Sequence, residues 1–232
     1  DSEVGVGSRF WVRLACADRD PVAPADEAAG HAGTVLYIED NPVNALIISE
    51  LVARRADLEL HVAVDGTSGV RKALELQPNL LLAQRGLVEM AVRSNQSTVA
   101  LEVSKTVQQQ RPKEPAGYVL EGDVHMAGKN WGSAVAAYRA GLKAAPAPEL
   151  AMKMHAALSA DGKAADAERV TAEWMKANPR DAGVPLFLGD RAIAAKRLPD
   201  AQRHYERVVA LQPGNVVALN NLAWVAGQLG RD

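Results

Sequence analysis

AVAAYRAGLKAAP at residues 134–146 and AQRHYERVVALQP at residues 201–213 follow one template: an alanine, a tyrosine four residues on, and a proline twelve residues on. The proline extends furthest along the chain. Pro78, Pro112, Pro146, Pro179 and Pro213 stand 34, 34, 33 and 34 residues apart. A fixed period of this length marks a stacked-repeat architecture, because a unit that small cannot bury its own apolar face and must lean on its neighbours. The surroundings repeat too: ALELQPN at 73–79 echoes VALQPGN at 209–215, with GLKAAPA at 141–147 and EWMKANP at 173–179 as looser copies. Each proline follows a helix-length amphipathic run, where a residue without a backbone N–H stops one helix and sets up the next.

Other positions recur in register with the last four prolines. Twelve residues before them stand Ala100, Ala134, Ala167 and Ala201; eight before stand Ser104, Tyr138, Thr171 and Tyr205; twenty-four before stand Val88, Gly122, His155 and Gly189. A small residue at a fixed place lets two helix axes approach closely, and the large one fills the gap alongside. The best copies are residues 115–146, with Tyr118, Gly122, Ala134, Tyr138 and Pro146, and residues 182–213, with Leu188, Gly189, Ala201, Tyr205 and Pro213. This order and period closely resemble the tetratricopeptide repeat (TPR), over about two thirds of the chain. The resemblance implies a mainly α fold, an α-solenoid of antiparallel helix pairs over residues 79–232. Its units are about 81–112, 115–146, 148–179, 182–213 and a partial 216–232. The first unit is degenerate, and the third carries Thr171 where a ring is usual. VVALNNLAW at 216–224 resembles bacterial TPR proteins associated with exopolysaccharide and surface-protein export.

Residues 1–76 do not follow the period and differ in charge, with 13 Asp plus Glu against 7 Lys plus Arg; the rest holds 15 against 19. Such asymmetry marks two joined segments of different role. Val35-Leu36-Tyr37-Ile38 reads as a buried parallel strand, and Glu39-Asp40-Asn41-Pro42 leads into an amphipathic stretch over 43–55. Leu58–Val64 reads as a second strand, Asp65-Gly66 as its turn and Thr67–Leu76 as a helix. That β-α-β-α order predicts a parallel pair with a crossover helix over residues 34–76.

VLYIEDNPVNALIISELV with the later VAVDGTSG resembles the first half of a response-regulator receiver domain, a half flavodoxin-like unit. The resemblance implies an acidic pair that helps bind Mg²⁺ beside a phosphoacceptor aspartate, and Glu39 and Asp40 fall on that pair. The third receiver strand should be an apolar run ending in aspartate. Pro78–Ala83 supplies the run, but Gln84 takes the aspartate's place, and a carboxamide accepts no phosphoryl group. Gly5-Val6-Gly7-Ser8-Arg9-Phe10 within residues 1–17 resembles the closing strand segment of a histidine-kinase ATPase domain. Residues 18–33, rich in Ala, Pro, Asp and Gly, then read as a linker. Together these imply a hybrid-kinase tail joined to a repeat array, expected to be a fragment or a recombined reading frame.

Composition narrows the function. Cys16 is the single cysteine, so neither an intrachain disulfide nor a cysteine metal cluster is possible. No run of Lys and Arg tracks phosphates, so nucleic acid is not an expected partner; nor is there an 18-residue apolar span. The five histidines, His31, His61, His125, His155 and His204, lack metal-ligand spacing, and no Ser/His/Asp or Cys/His grouping supports nucleophilic catalysis. No enzyme activity and no cofactor are expected, apart from weak Mg²⁺ at Glu39 and Asp40.

The leading expectation is a non-catalytic scaffold taking a protein or peptide in the groove formed by the first helices of successive units. Helical spacing puts Val119, Asp123, Met126, Met152, Lys153, Ala156, Leu186, Phe187, Asp190, Asn220, Asn221 and Trp224 along that groove. The plain alternative for each is helix packing. Without clustered lysines and arginines there, capture of an acidic C-terminus is disfavoured. The rival function is two-component phosphorelay signalling, with phosphotransfer lost. A bacterial cytoplasmic location is expected, with export of the repeat half as the alternative.

Overall fold

The computed structural model describes residues 2–3, 7–8 and 32–230. The kinase-like segment 1–17 and linker 18–33 fall largely outside these; what is described there is β1 (Ser2–Glu3) paired antiparallel with β2 (Gly7–Ser8).

Then follow β3 (Gly33–Ile38), α1 (Pro42–Ala53), β4 (Leu58–Ala63) and α2 (Gly66–Leu76). β3 and β4 pair in parallel, with Val35 beside Leu60 and Tyr37 beside Val62. The Asn41 side-chain oxygen accepts the Val43 N–H at 2.9 Å, and Pro42 occupies the first turn of α1, where its missing N–H costs nothing. Asp65 and Ser68 close a capping box on α2. α1 buries none of its residues, and Val43, Leu46, Ile47 and Leu51 are each more than half exposed. Two strands are too narrow to cover it.

The apolar run at 78–84 is no third strand. It opens α3 (Leu81–Arg93), in which Ala83, Gln84, Val88 and Ala91 face inward at helical spacing. Buried Gln84 donates to Pro78 O at 3.0 Å and to Gln110 Oε1 at 2.8 Å. It therefore ties the first hairpin together and ends no sheet strand.

From α3 onward the chain is antiparallel helix pairs. α3 pairs with α4 (Ser97–Gln110) and α5 (Ala116–Ala127) with α6 (Trp131–Ala144). α7 (Pro148–Ala160) pairs with α8 (Ala164–Ala177), α9 (Gly183–Ala194) with α10 (Leu198–Leu211), and α11 (Val216–Gln228) follows alone among the described residues.

Two kinds of turn generate the period. Within each pair, Asn95, Lys129, Gly162 and Lys196 adopt positive φ at corresponding places, and Gly230 does so after α11. The next N–H reaches back five residues each time: Gln96 to Ala91 O, Asn130 to His125 O, Lys163 to Leu158 O and Arg197 to Ala192 O, at 2.7–2.9 Å. That is a Schellman closure, which needs one left-handed residue. Between pairs, Arg111, Ala145, Asn178 and Gln212 leave helical geometry with φ between −125° and −144°, because the following proline forbids it. Gln77 before Pro78 does the same, so α2 ends like a second helix and packs on α3 as α4, α6 and α10 do on the next first helix. α2 is thus shared between the small sheet and the helical array.

The first helices α3, α5, α7 and α9 lie successively against one another, and no pair of second helices packs to the same extent. The array therefore curves with first helices on the inside. The core is split among three clusters: one around Val88, Val107 and Leu120, one around Tyr138, Leu150 and Met154, and one around Tyr205, Val208 and Val225. The second and third meet where α8 barely touches α9, unlike the close α4–α5, α6–α7 and α10–α11 seams.

Candidate partner-binding groove

The recurring glycine and tyrosine build the groove floor. Gly122 and Gly189 have no side chain because the rings of Tyr138 and Tyr205 occupy that space; an added Cβ would stand 2.1 Å and 2.6 Å from them. Both tyrosines are buried, with 1% and 0% of their surface exposed, and their hydroxyls reach the aspartates of the first helices. There the Tyr138 hydroxyl donates to Asp123 Oδ1 at 2.6 Å, and the Tyr205 hydroxyl to Asp190 Oδ1 at 2.6 Å. Burial, then the aspartate partner, pushes both phenols well above their ordinary range, so they stay protonated donors.

Each aspartate also meets the next first helix. Lys153 Nζ contacts both Asp123 oxygens at 2.8 and 2.9 Å, and Asn221 Nδ2 reaches Asp190 Oδ1 at 3.4 Å and the Tyr205 hydroxyl at 3.3 Å. The sequence picked out these four polar residues, and the structure joins them in two pairs. It missed the tyrosine hydroxyls that orient them; the fixed distance of 15 residues from each aspartate to its ring was the available signal.

The remaining residues named from sequence scatter. Val119 is buried and forms only the floor of a depression of about 440 Å³, with Arg85, Glu89, Asp123 and Glu149 around it. Met126 and Leu186 lean on the core clusters. Met152 and Ala156 are half-buried, and Phe187 meets His155 edge-on at 5.4 Å. Asn220 and Trp224 are exposed, Trp224 by 49%. The groove therefore offers apolar patches between fixed carboxylates, with Lys153 already paired.

In the front unit, Glu39 accepts the Asn41 N–H at 3.1 Å and the Tyr37 hydroxyl at 2.9 Å. Those bonds, in that order, hold its carboxyl below the usual range and occupy both oxygens. Asp40 is exposed. Among the described residues no group of three or more His, Cys, Asp and Glu is arranged to hold a metal ion, and no helix is long and apolar enough to cross a membrane.

No family model matches the chain, and no curated protein matches it. Solved structures do. TTC0263, a thermophilic TPR protein of Thermus thermophilus, superimposes with a TM-score of 0.51 at 15% identity, covering 80% of this chain and 97% of that one. YrrB, a TPR protein with an unusual peptide-binding site, gives 0.40 at 15% identity over 69% and 84%. The first TPR of Spaghetti (RPAP3), bound to an HSP90 peptide, gives 0.39 at 24% identity over 50% and 94%. The fold is a tetratricopeptide-type solenoid. The receiver-like and kinase-like resemblances gain nothing from these comparisons.

Proposed function

We propose that this chain is a non-catalytic scaffold that takes an extended peptide or protein segment along the inner face of its helical array. The supporting observation is the pair of clusters Asp123–Tyr138–Lys153 and Asp190–Tyr205–Asn221, which present oriented hydrogen-bonding groups at successive intervals along that face. Asn221 and Asp190 meet a peptide backbone in both senses, while Met152, Phe187 and Trp224 receive apolar side chains. Asp190, which has no cationic partner among the described residues, favours a partner segment carrying lysine or arginine over an acidic tail, while Lys153 already neutralises Asp123. Peptides selected from a random library on the full chain test this. Trp224→Ala and Asp190→Arg should each weaken them about tenfold or more. Arg139→Ala, on the exposed side of α6, should leave affinity unchanged; equal loss from all three variants would refute the groove.

A second reading, a relay element with a truncated receiver, draws support from the parallel β3–β4 pair with Glu39 and Asp40 just beyond its C-terminal end. It includes loss of phosphotransfer, since Gln84 sits inside α3. Mg²⁺ with beryllofluoride should then protect residues 35–84 from hydrogen exchange; no change would leave the front unit a passive appendage.

A further inference from the structure

The third pair, like the first with Val88 and Ser104, reverses the volumes of the two best repeats, and only there is the large residue polar. Where Gly122 meets Tyr138 and Gly189 meets Tyr205, the third pair has His155 on its first helix and Thr171 on its second. Thr171 is fully buried and satisfies its hydroxyl within α8, on Glu168 O at 3.1 Å. His155 is only 5% exposed, and neither ring nitrogen has a hydrogen-bond partner among the described residues. Such an orphan is costly and rare, and points to a group not drawn from the protein itself. It lies at the loose α8–α9 junction, where a cleft of about 530 Å³ opens at the turn ends of the third and fourth pairs. That volume suits a small molecule.

The cleft is basic, unlike the groove. Arg191, Arg197 and Arg203 converge on it with His155 and His204, against Glu168 and Asp200. Arg203 and Arg197 pair with Asp200, whereas Arg191 has no ionic partner among the described residues. A single oxygen, Glu168 Oε1, forms loose ion-pair contacts with both His155 Nε2 at 4.0 Å and Arg197 at 3.7 Å, each longer than a hydrogen bond. It marks the place where an external oxyanion would satisfy both, and the half-exposed Glu168 side chain is free to swing aside.

We propose that this cleft binds a small anion through a carboxylate or phosphate group, held by Arg191, Arg197 and a ring N–H of His155. Guanidinium forks match such oxygens bidentately, and a buried imidazole adds a charge-assisted bond. Burial first, then Arg191 and Arg197, hold the free imidazole below its ordinary value, while Glu168 on α8 opposes them. Asp200, Arg203 and His204 face the same space from α10. A bound anion adds negative charge beside His155 and favours its protonated form, so binding should tighten as pH falls through the ordinary 6.5 toward the lowered value of the free imidazole.

The test follows the imidazole proton resonances of the full chain during titration with inorganic pyrophosphate and, separately, citrate at constant ionic strength. His155 should shift saturably with at least one, and the tighter probe assigns phosphate or carboxylate. Arg191→Gln should weaken that binding about tenfold, and Glu168→Gln should strengthen it several-fold. Both side chains are substantially exposed, and matching thermal melts verify that the variants fold. No saturable His155 shift with either probe would overturn the site. So would an equal response of His61 and His125, or a response indifferent to Arg191→Gln.

Discussion

At Gly122 a single methyl group decides whether two helices can close, because the Tyr138 ring already stands where it would go. Gly122→Ala should cost about 3 kcal/mol in urea unfolding, the upper end for overpacking, and Gly189→Ala less, its nearest ring atom being further off. Combining Gly122→Ala with Tyr138→Thr, the small partner found at Thr171, should recover about 1 kcal/mol over the sum of the single changes; simple additivity would show that ring and glycine are not coupled. At Lys129 and Lys196, φ near 57° imposes strain that Gly162 avoids at the equivalent turn. Lys129→Gly should therefore stabilise by about 1 kcal/mol, and destabilisation would place the strain elsewhere. His155 and His204 are both held below their ordinary value, chiefly by burial. The unfolded chain then takes up protons first. The histidine contribution to stability is complete above the ordinary value of 6.5 and falls as pH drops through the lower folded value. Urea midpoints between neutral pH and about pH 5 should fall more shallowly in a His155→Gln/His204→Gln variant than in the parent.

Among the elements, the seam between α8 and α9 is the weakest link. Polar contacts bridge this junction from other elements: Trp174 Nε1 on α8 donates to Asp181 Oδ2 in the connecting segment at 2.7 Å, and Arg207 on α10 donates to Met175 O on α8 at 3.4 Å. In a stacked array each unit answers mainly to its neighbours, so a poor seam divides the cooperative whole. Native-state hydrogen exchange should find α9–α11 opening as a unit at lower free energy than α5–α7; a uniform opening energy would contradict that division. The periodic prolines made the helical pairs legible because Pro78 and its successors act through local sterics that need no tertiary context. The left-handed turns were less legible, since lysine at positions 129 and 196 gives no hint of positive φ. Nor could the run at 80–82 be assigned from pattern alone. Three leucines fit a buried strand or a helix start equally, and the choice fell to Gln84, whose bonds reach residues 6 and 26 away. Of the groove, sequence spacing picked out Asp123, Lys153, Asp190 and Asn221 but not their pairing, and missed Val119's burial, because one helix face shades into core within a residue. The cleft at His155 was visible only as two broken repeat positions whose joint meaning is spatial.

On the scale of the whole molecule, curvature turns these local rules into a surface. First helices α3, α5, α7 and α9 touch one another more than second helices do, and Asp123 meets Lys153 and Asp190 meets Asn221 from one first helix to the next. The proposed groove and the basic cleft at the hairpin turns are lined by different residues and touch where Phe187 meets His155 edge-on at 5.4 Å. The measurement that bears most directly on the scaffold is hydrogen exchange of the full chain with and without a library-selected peptide. Protection concentrated on the inner faces of α5, α7, α9 and α11 is the result expected. Protection confined to α6, α8 and α10, or to residues 33–76, would contradict the groove.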